Sequence, residues 1–501
     1  MTALTEAQRV LLARMSAAPG EREGLFPATA AQRGLWFLDQ LAPGGTAYHM
    51  PALLRLRGPL DEDVLARAFQ AAVDRHESLR TTFVAVDGRP LQRVRSHRRH
   101  RLTGHDATGR GLADVVAEAT EAAYEPFDLR RGPLVRTALW RLAPEDHLLL
   151  LTVHHIVADG WSIGLLLQEL ATALTGHRPA DRPDGTDEPV DLALREAAAV
   201  PDGDAAGFWA RVLAGAEASG LPERVDAAPE QACATVTEPL PASLPARVRA
   251  FARAARTTEH GVYLAALAAA CHRMTGRDDV VIGVPHARRD SPRTQRSVGF
   301  LVTSLPVRVA WTGEPSLTEL TRLTTAALRE ATAHGEVPYD LMTGQARPGE
   351  RGPLFDLMLT VDPALLPTGR LGDLAVERIP LAAREAKFPL VVGVDLGEPA
   401  LRCEYDTARL DGEVAESLAR TLRSLLQAAL ADPGLPLAAF DLMDAEETGR
   451  RPALGRGAPV PDVLAGGGLG EAVAAITRRD PGRVALIEGE RRLTYGDLLA
   501  A

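Results

Sequence analysis

The sequence has few cysteines and no cysteine pairs. Cys233, Cys271 and Cys403 are the only three in 501 residues, and none belongs to a CxxC motif. A disulfide framework or a cysteine-based zinc site requires several cysteines at short, regular intervals. The cysteine content therefore argues against both kinds of site and favours a reducing compartment.

Long apolar runs are also missing. A helix needs about 20 consecutive apolar residues to cross a bilayer, and the longest candidates here are Leu148–Val153 and Val262–Cys271. Glu6, Arg9 and Arg14 interrupt the apolar residues of the amino terminus, which therefore lacks the core of a signal peptide. We expect a cytoplasmic protein with no membrane partner.

Positive charge is in deficit. Lys and Arg number 56 and Asp and Glu number 66, which gives a formal net charge of −10. Nucleic-acid binding requires clustered Lys and Arg to neutralise phosphates, so we expect no nucleic-acid partner. Hydrophobic residues make up 46% of the chain and charged residues 24%, which is typical of a globular protein and excludes wholesale disorder.

Length and composition divide the chain into segments. At roughly 150 residues per domain, its length corresponds to about three domains or two large lobes. Stretches rich in Pro, Gly and Asp at His177–Asp204 and at 449–470 interrupt the helix and strand patterns. We predict a leading helix and linker (1–24), an amino-terminal lobe (25–180), a carboxy-terminal lobe (181–445), a Gly/Pro-rich linker (446–470) and the start of a further domain (471–501).

Local patterns predict alternating helices and strands, which is typical of an α/β fold. Asp61 precedes an apolar stripe of period 3.6 and predicts a capped helix. Asp87-Gly88 lies between two apolar runs and predicts a hairpin turn. The other main predictions are helices up to Ser16 and at 115–124, 161–174, 244–255 and 262–274, and strands at 53–56, 134–142, 147–153, 280–284, 301–309 and 354–361.

The segment Leu148–Ser162, LLLLTVHHIVADGWS, is the most informative for chemistry. An apolar strand leads into His154 and His155, and consecutive strand residues point to opposite faces. One histidine should therefore enter a cleft while the other is packed behind it. A buried Asp159 would need a charged partner, for which an arginine is the best candidate. The Gly160 amide could face the negative charge that develops on a reacting carbonyl.

Other interpretations of this segment are weaker. The chain has 13 histidines, so a single one is more often structural than catalytic. The whole pattern HHxxxDG, however, is expected by chance only about 0.002 times in a chain of this size. A metal site is disfavoured because no third His, Cys or carboxylate follows at helical ligand spacing. The pattern therefore favours catalysis.

The sequence resembles a known family. HHIVADGWS, residues 154–162, is similar to the signature of condensation domains of nonribosomal peptide synthetases, which belong to the chloramphenicol acetyltransferase-like superfamily. Five more segments resemble that family's motifs in the same order, at 29–41, 75–83, 297–308, 334–342 and 351–359. Together they cover roughly residues 25–445. Residues 491–500, RRLTYGDLLA, resemble the beginning of an adenylation domain.

The resemblance implies a fold and a set of site residues. The fold would be two chloramphenicol acetyltransferase-like lobes in a V-shaped pseudo-dimer, with a central tunnel and His155 midway along it. The implied catalytic residues are His154, His155, Asp159, Gly160 and Arg289, with an ion pair between Asp159 and Arg289. The implied substrate-binding residues are Trp161, Ser162, Thr303 and Ser304. The chain departs from the family at Val190–Ala198 and at Thr303, where the family usually has Asn.

The implied reaction is peptide-bond formation between a donor acyl or peptidyl thioester and the amine of an acceptor aminoacyl thioester. Both substrates would be carried on 4′-phosphopantetheine arms of an upstream and a downstream carrier protein, and the chain itself would bind no cofactor or metal. An adjoining adenylation domain would be a further partner. Either a proton-accepting or a positioning role remains open for His155.

Four alternatives come from the same superfamily. Epimerases share HHxxxDG but differ after the glycine, and heterocyclising relatives carry aspartates in place of the two histidines. Non-catalytic platform domains, which recruit tailoring enzymes, tend to lose the histidine motif. An ester-forming acyltransferase remains open, because hydroxyl and amine acceptors would use the same histidine.

Overall fold

The computed structural model describes residues 22–179, 186–198, 203–225, 232–336, 355–362, 369–442, 469–488 and 491–500. The chain divides into two compact units between Phe440 and Asp441. The helix predicted up to Ser16 lies outside the described residues, as do residues 446–468 of the predicted linker.

Strands and helices alternate through the described residues, which confirms the predicted α/β class. The strands are β1 (Gly24–Pro27), β2 (His49–Arg57), β3 (Thr81–Val86), β4 (Arg89–Val94), β5 (Leu102–Asp106), β6 (Val135–Ala143), β7 (Asp146–His154), β8 (Cys233–Pro239), β9 (Asp279–His286), β10 (Thr303–Ala310), β11 (Leu357–Asp362), β12 (Arg370–Leu371), β13 (Leu374–Ile379), β14 (Leu390–Asp395), β15 (Ala400–Asp406), β16 (Val484–Glu488) and β17 (Arg491–Thr494). The helices are α1 (Ala30–Leu41), α2 (Glu62–Arg75), α3 (Leu112–Ala123), α4 (Gly160–Leu174), α5 (Pro189–Ala198), α6 (Gly203–Val212), α7 (Leu244–Ala254), α8 (Glu259–Thr275), α9 (Pro292–Gln295), α10 (Leu317–Ala333), α11 (Gly412–Ala429), α12 (Leu469–Arg479) and α13 (Tyr495–Ala500).

Two six-stranded sheets form the framework of the first unit. The first sheet has the strand order β12–β13–β2–β7–β6–β5, and the second has the order β10–β9–β11–β14–β15–β8. Strand β13 comes from the second half of the chain but pairs antiparallel with β2, with Val376 opposite Leu56. The second half of the chain therefore extends the first sheet, and the connection from β13 to β14 runs between the two sheets.

Strand β7 leads into the histidine motif and is buried on both faces. Leu149 and Leu151 pack into the cluster that contains residues of α2 and α4. Leu148 and Leu150 point the other way and pack against Trp140 and residues of α3. A strand covered on both faces needs a continuous apolar run rather than an alternating one. This explains why LLLLTV correctly predicted a buried strand.

Two local predictions are confirmed in detail. Asp61 caps α2, and its carboxylate accepts a hydrogen bond of 2.9 Å from the Val64 amide. Asp87 and Gly88 connect β3 to β4 with positive φ angles of 50° and 76°. Positive φ at both central residues is typical of the tightest hairpin turns, and Asp-Gly is a preferred pair for them.

Helix α5 forms within the Pro-, Gly- and Asp-rich stretch His177–Asp204. Pro189 begins this helix, a position where the fixed φ of proline favours helix formation. Asp191 on α5 pairs with Arg22, with 2.7 Å between oxygen and nitrogen. Glu196 accepts a 2.7 Å hydrogen bond from the Ala30 amide and pairs with Arg288 at 2.8 Å. Tertiary ion pairs of this kind cannot be inferred from local composition.

The second unit contains α12, the antiparallel pair β16–β17 and α13. Among the residues that the structure describes, no helix combines the length and the apolar character needed to span a membrane.

We predict that Gly283→Ala destabilises the first unit. A Cβ atom on Gly283 of β9 would lie 2.2 Å from Cε2 of Phe355, a packed ring. Overpacking of this kind costs about 1–3 kcal/mol. Gly164→Ala is the matched control, because a Cβ there meets nothing within 4 Å and alanine favours the helix. Denaturant unfolding should show the loss for Gly283→Ala only, and equal stability of the two variants would contradict the packing described.

Candidate active site

The two motif histidines point in different directions, as their adjacent positions predicted. His154 is the last residue of β7, and His155 begins a short 3₁₀ turn that ends at Val157. The His154 ring is only 4% exposed and lies edge-on to the rings of His49 and Phe127. The half-buried His155 ring lies edge-on to Phe300, with 4.9 Å between ring centroids.

His154 has a structural hydrogen bond. Its Nδ1 atom accepts a bond of 3.1 Å from the backbone amide of Ile156, which turns the chain at the end of β7. An accepting Nδ1 leaves the ring proton of the neutral form on Nε2. Burial, together with smaller contributions from the charges of His49, His155 and Lys387, lowers the pKa of His154 to about 3. His154 is therefore a neutral support behind the turn.

The hydrogen bonds of His155 fix its tautomer. Its Nδ1 lies 2.8 Å from the carbonyl oxygen of Ala158. A carbonyl oxygen can only accept, so Nδ1 carries the proton and Nε2 keeps its lone pair. The backbone amide of His155 donates a 2.9 Å bond to the carbonyl of Tyr48, which fixes the main chain beside the ring.

His155 is neutral at ordinary pH. Burial lowers its pKa to about 4, and the positive charge of Lys387 acts in the same direction. The hydrogen bond to Ala158 and the negative charge of Asp159 oppose this shift. The result is an imidazole with a fixed orientation. Its Nε2 lone pair is not engaged by any residue that the structure describes, and it can accept a proton or orient an amine.

Asp159 starts helix α4 and lies at the centre of a buried network. Its Oδ1 accepts hydrogen bonds from the Ser162 amide at 2.9 Å and from the Ser162 hydroxyl at 2.7 Å. Its Oδ2 accepts a bond of 3.3 Å from the Leu301 amide. The structure pairs Asp159 with Arg289, whose Nη2 lies 2.8 Å and 2.9 Å from the two carboxylate oxygens.

Arg289 connects this network to the second half of the chain. Its Nη1 donates to the carbonyls of Thr294 at 2.8 Å and Ser297 at 2.6 Å. The Ser162 hydroxyl oxygen accepts a 3.0 Å bond from the Gly299 amide. Residues 289–301 are thereby fastened to the helix that follows the histidine motif, and Phe300 of the same segment contacts His155.

The predicted substrate-binding residues differ in how far they are exposed to solvent. Trp161 is 50% exposed, and its indole nitrogen donates a 2.9 Å bond to the carbonyl of Gln295. Ser162 is fully buried and is used by Asp159 and Gly299, which argues against direct contact with a substrate. Thr303 and Ser304 begin β10 and are half-buried opposite His286 and Pro285.

Gly160 lies at the exposed start of α4. The first amides of a helix lack partners within the helix and carry partial positive charge. This position suits an amide that faces a developing oxyanion. Lys387, which lies far from the motif in the sequence, was not predicted from the sequence because no local pattern marks it.

The comparisons with known proteins agree with this geometry. The family model described as "Condensation domain" matches residues 22–450. The chain belongs to the condensation domain family. Membership of this family supports the predicted enzyme class, an amide-forming acyltransferase. The predicted two-lobed chloramphenicol acetyltransferase-like fold is also confirmed.

One relative is the isonitrile lipopeptide synthase of Mycobacterium tuberculosis, which is 33% identical over 516 residues. The match covers 95% of this chain but only 20% of that protein.

Among solved structures, the X-domain from teicoplanin biosynthesis is 27% identical with a TM-score of 0.71, and the match covers 84% of this chain and 98% of the X-domain chain. The same domain in complex with OxyB is 28% identical, also with a TM-score of 0.71, and that match covers 84% of this chain and 97% of the other chain. The first condensation domain of the calcium-dependent antibiotic synthetase, at 23% identity, has the same fold with a TM-score of 0.71 and covers 84% and 100%.

We predict that Asp159→Asn is strongly destabilising. Asparagine keeps the size and can still accept a bond from Ser162, but it leaves the buried Arg289 guanidinium without its counter-charge. Breaking a buried pair on one side costs about 3–5 kcal/mol. Glu416→Gln removes a partner of Arg420 in an exposed pair and is the control. Denaturant unfolding should show a large loss for Asp159→Asn alone; a loss as small as that of the control would contradict the role of the pair.

We predict that acid weakens the fold through the histidine pair. The unfolded chain binds protons on histidine below about pH 6.5, whereas folded His154 and His155 resist protonation until pH 3–4. Stability present above pH 6.5 is therefore lost as the pH falls toward 4. Unfolding measured from pH 6.5 to 4.5 should show this slope.

His154→Asn isolates one group, because the Asn oxygen can replace Nδ1 as acceptor without titrating. The variant should reduce the slope by at most about 1.4 kcal/mol per pH unit. His97→Asn, at an exposed histidine, is the control. An unchanged slope in His154→Asn would show that His154 is not held neutral.

Proposed function

We propose that this chain joins a donor acyl or peptidyl thioester to the amine of an acceptor aminoacyl thioester. The observation that carries the proposal is the half-buried His155 ring, whose proton is fixed on Nδ1 and whose Nε2 has no partner among the described residues. The ring is held between the first sheet and residues 289–301 of the second half of the chain.

A thioester is already activated, so the protein does not need to activate the acyl group further. The acceptor nitrogen attacks the thioester carbon, the carbonyl oxygen becomes negative, and the C–S bond then breaks. The nitrogen loses one proton, which His155 Nε2 can accept and return to the departing thiolate. Holding the two reactants in attack geometry supplies much of the acceleration, up to about 7–11 kcal/mol in the best intramolecular models.

Other residues have supporting roles in this proposal. His154 and the Asp159–Arg289 pair fix the turn from which His155 projects. The Gly160 amide is a candidate donor to the carbonyl oxygen as it becomes negative. Trp161, exposed beside Gly160, is the candidate for contact with a substrate arm, and Thr303 and Ser304 remain candidates on β10.

We further propose that both substrates arrive on phosphopantetheine arms of carrier proteins, and that an adenylation domain adjoins this domain. The relative named above is a lipopeptide synthase, and 4′-phosphopantetheine arms are how nonribosomal peptide synthetases carry their intermediates. The resemblance of residues 491–500 to the start of an adenylation domain supports the second part. The domain boundaries that we predict at residues 180 and 445 belong to the same proposal.

A second candidate is a non-catalytic platform. It is favoured by one observation, the similarity to the teicoplanin X-domain, whose structure is also known in complex with OxyB. The intact motif from His154 to Gly160 and the free His155 Nε2 favour catalysis instead, because a platform has no use for either.

The direct test uses one carrier protein loaded with a donor aminoacyl group and a second loaded with an acceptor. We expect the wild-type chain to form the dipeptidyl thioester. His155→Ala should be slower by about 10²–10⁴-fold, the usual contribution of a positioned acid–base group. His97→Ala, at an exposed histidine, should be as active as the wild type.

Each result has one meaning. An inverted donor stereocentre without joining would indicate an epimerase. Transfer only to a hydroxyl acceptor would indicate an ester-forming enzyme. The absence of any reaction, together with binding of a tailoring enzyme, would favour the platform. Full activity of His155→Ala would contradict the role given to its imidazole.

A further inference from the structure

The segment Arg93–Arg101, RVRSHRRHR, concentrates positive charge in an acidic chain. Five of its nine residues are arginines and two are histidines, whereas the whole chain has a formal net charge of −10. The segment runs from the end of β4 to the start of β5, the edge strand of the first sheet. A basic run is often only a solvated loop, and a binding site requires in addition a fixed path and a cavity.

Hydrogen bonds fix the path of the second half of this segment. The side-chain amide of Gln70 on α2 donates to the carbonyl of Arg98 at 3.0 Å, and its oxygen accepts from the His100 amide at 2.7 Å. The His100 ring contacts the hydroxyl of Thr137 on β6, with 2.7 Å between Nε2 and Oγ1. Residues 98–101 therefore follow a defined course between α2 and β6.

A cavity of about 410 Å³ lies beside residues 98–101. Its volume is within the range of small-molecule sites, about 300–1,000 Å³. Apolar side chains of α2, β6 and β7 form part of the lining. The same lining contains four arginines, which are Arg98, Arg99, Arg101 and Arg136. The cavity thus combines apolar walls with a group of guanidinium ions.

The protein does not neutralise the positive charge at this cavity. Glu125 is the one carboxylate in the lining, which leaves an excess of three positive charges over it. Glu125 lies 3.3 Å from Arg136, and its side chain is 70% exposed. Within the described part of the chain, no carboxylate oxygen lies within 4.0 Å of the guanidinium nitrogens of Arg98, Arg99 or Arg101.

Several polar atoms of the lining are buried without partners. Arg98 Nη2 donates to a backbone carbonyl at 3.0 Å, but neither Arg98 Nη1 nor Arg136 Nε has a hydrogen-bond partner among the described residues. The same holds for the hydroxyl of Thr152, which also lines the cavity. Burial and the like charges of Arg95 and Arg93 lower the pKa of Arg98. Unpaired buried groups and like charges held together are costly, so they are typical of a site for a ligand of opposite charge.

The charge and the shape of the cavity indicate the class of ligand. A single phosphate group carries about −2 at neutral pH, which is less than the excess of positive charge in the lining. Two or three linked phosphates match this excess, and guanidinium groups bind phosphate oxygens through paired hydrogen bonds. The apolar walls can hold an organic part of the ligand. A nucleic-acid strand, in contrast, requires an extended basic groove.

We propose that this cavity binds a small molecule with two or three linked phosphates, namely pyrophosphate or a nucleoside triphosphate. The half-buried Arg98 and Arg136 hold the inner end of the phosphate chain. The exposed Arg99 and Arg101 contact it from the solvent side. No covalent step is involved.

The proposed site is distinct from the acyl-transfer site. None of His154, His155 and Asp159 lines the cavity. Binding of a phosphate compound there requires neither a thioester nor a carrier protein. The proposal therefore does not rest on the proposed function, and its tests need no peptide formation.

The first experiment is calorimetric titration of the full chain at about 0.15 M salt, where exposed charges are largely screened. The probes are pyrophosphate and ATP, and AMP and sulfate are the comparison ligands. We expect one site that binds at least one probe at submillimolar concentration. AMP and sulfate should bind at least about 10-fold more weakly, because they carry less charge.

The probes distinguish the possible ligands. Binding of pyrophosphate alone would support the inorganic diphosphate, and binding of ATP alone would support the nucleotide. Binding of neither would overturn the proposal. Sulfate bound as tightly as the better probe would indicate nonspecific attraction and would also overturn it. Tighter binding of a single-stranded DNA oligomer than of either probe would assign the arginines to a nucleic-acid surface instead.

The second experiment locates the bound probe. The double variant Arg99→Gln/Arg101→Gln removes two exposed charges that have no ion pair among the described residues, so the fold should persist. Its affinity for the probe should fall at least about 10-fold, because charge-assisted hydrogen bonds are lost. Arg253→Gln/Arg329→Gln is the matched control, since it removes two exposed arginines from α7 and α10. No loss in the first variant, or an equal loss in both, would overturn the proposal.

Unfolding in denaturant provides an independent measurement of the same binding. At a probe concentration 100 times the dissociation constant, the ratio of folded to unfolded wild-type protein should rise about 100-fold. The control variant should show the same rise. The Arg99→Gln/Arg101→Gln variant should show a much smaller one at that concentration, and a full rise in it would place the ligand outside the cavity.

Discussion

The buried ion pair between Asp159 and Arg289 is the interaction on which the site depends. Asp159 begins α4 immediately after the histidine turn, and Arg289 belongs to the segment that follows β9. Their contact, with Ser162 and the backbone of residues 294–301 around it, joins the two halves of the chain at one point. A buried pair stabilises little by itself. Its value here is that it fixes one arrangement of the two halves, with His155 between them.

The different burial of the two histidines gives them different roles. The same apolar strand end that conceals His154 leaves His155 half-buried, and both rings are kept neutral by desolvation. One ring holds the turn through Ile156, while the other keeps a free nitrogen. The chemistry follows from this division, because a neutral imidazole of fixed tautomer can accept a proton from an amine or orient it.

Local sequence predicted the parts of the fold that local forces decide. Apolar runs of strand length gave β6 and β7, Asp61 gave the start of α2, and Asp87-Gly88 gave the turn between β3 and β4. The opposite directions of His154 and His155 also followed from strand geometry. The pairing of Asp159 with Arg289 was expected only from the family resemblance, because 130 residues separate the two in the chain.

Tertiary contacts decide what the sequence did not predict. Helix α5 forms in a Pro-rich stretch because Asp191 and Glu196 find partners elsewhere in the first unit. Ser162 was expected at the substrate but is buried by the Asp159 network. Lys387 carries no motif, and the pairing of β13 with β2 is a long-range event. Sequence periodicity and motif spacing contain no information about such long-range contacts.

A crystal structure of the chain with a stable amine analogue of the acceptor arm bound would test the role proposed for His155. We expect the analogue nitrogen to lie about 3 Å from His155 Nε2, within hydrogen-bond reach, while Nδ1 still faces the Ala158 carbonyl. An analogue bound elsewhere, or a His155 ring closed off from both sides of the domain, would contradict it.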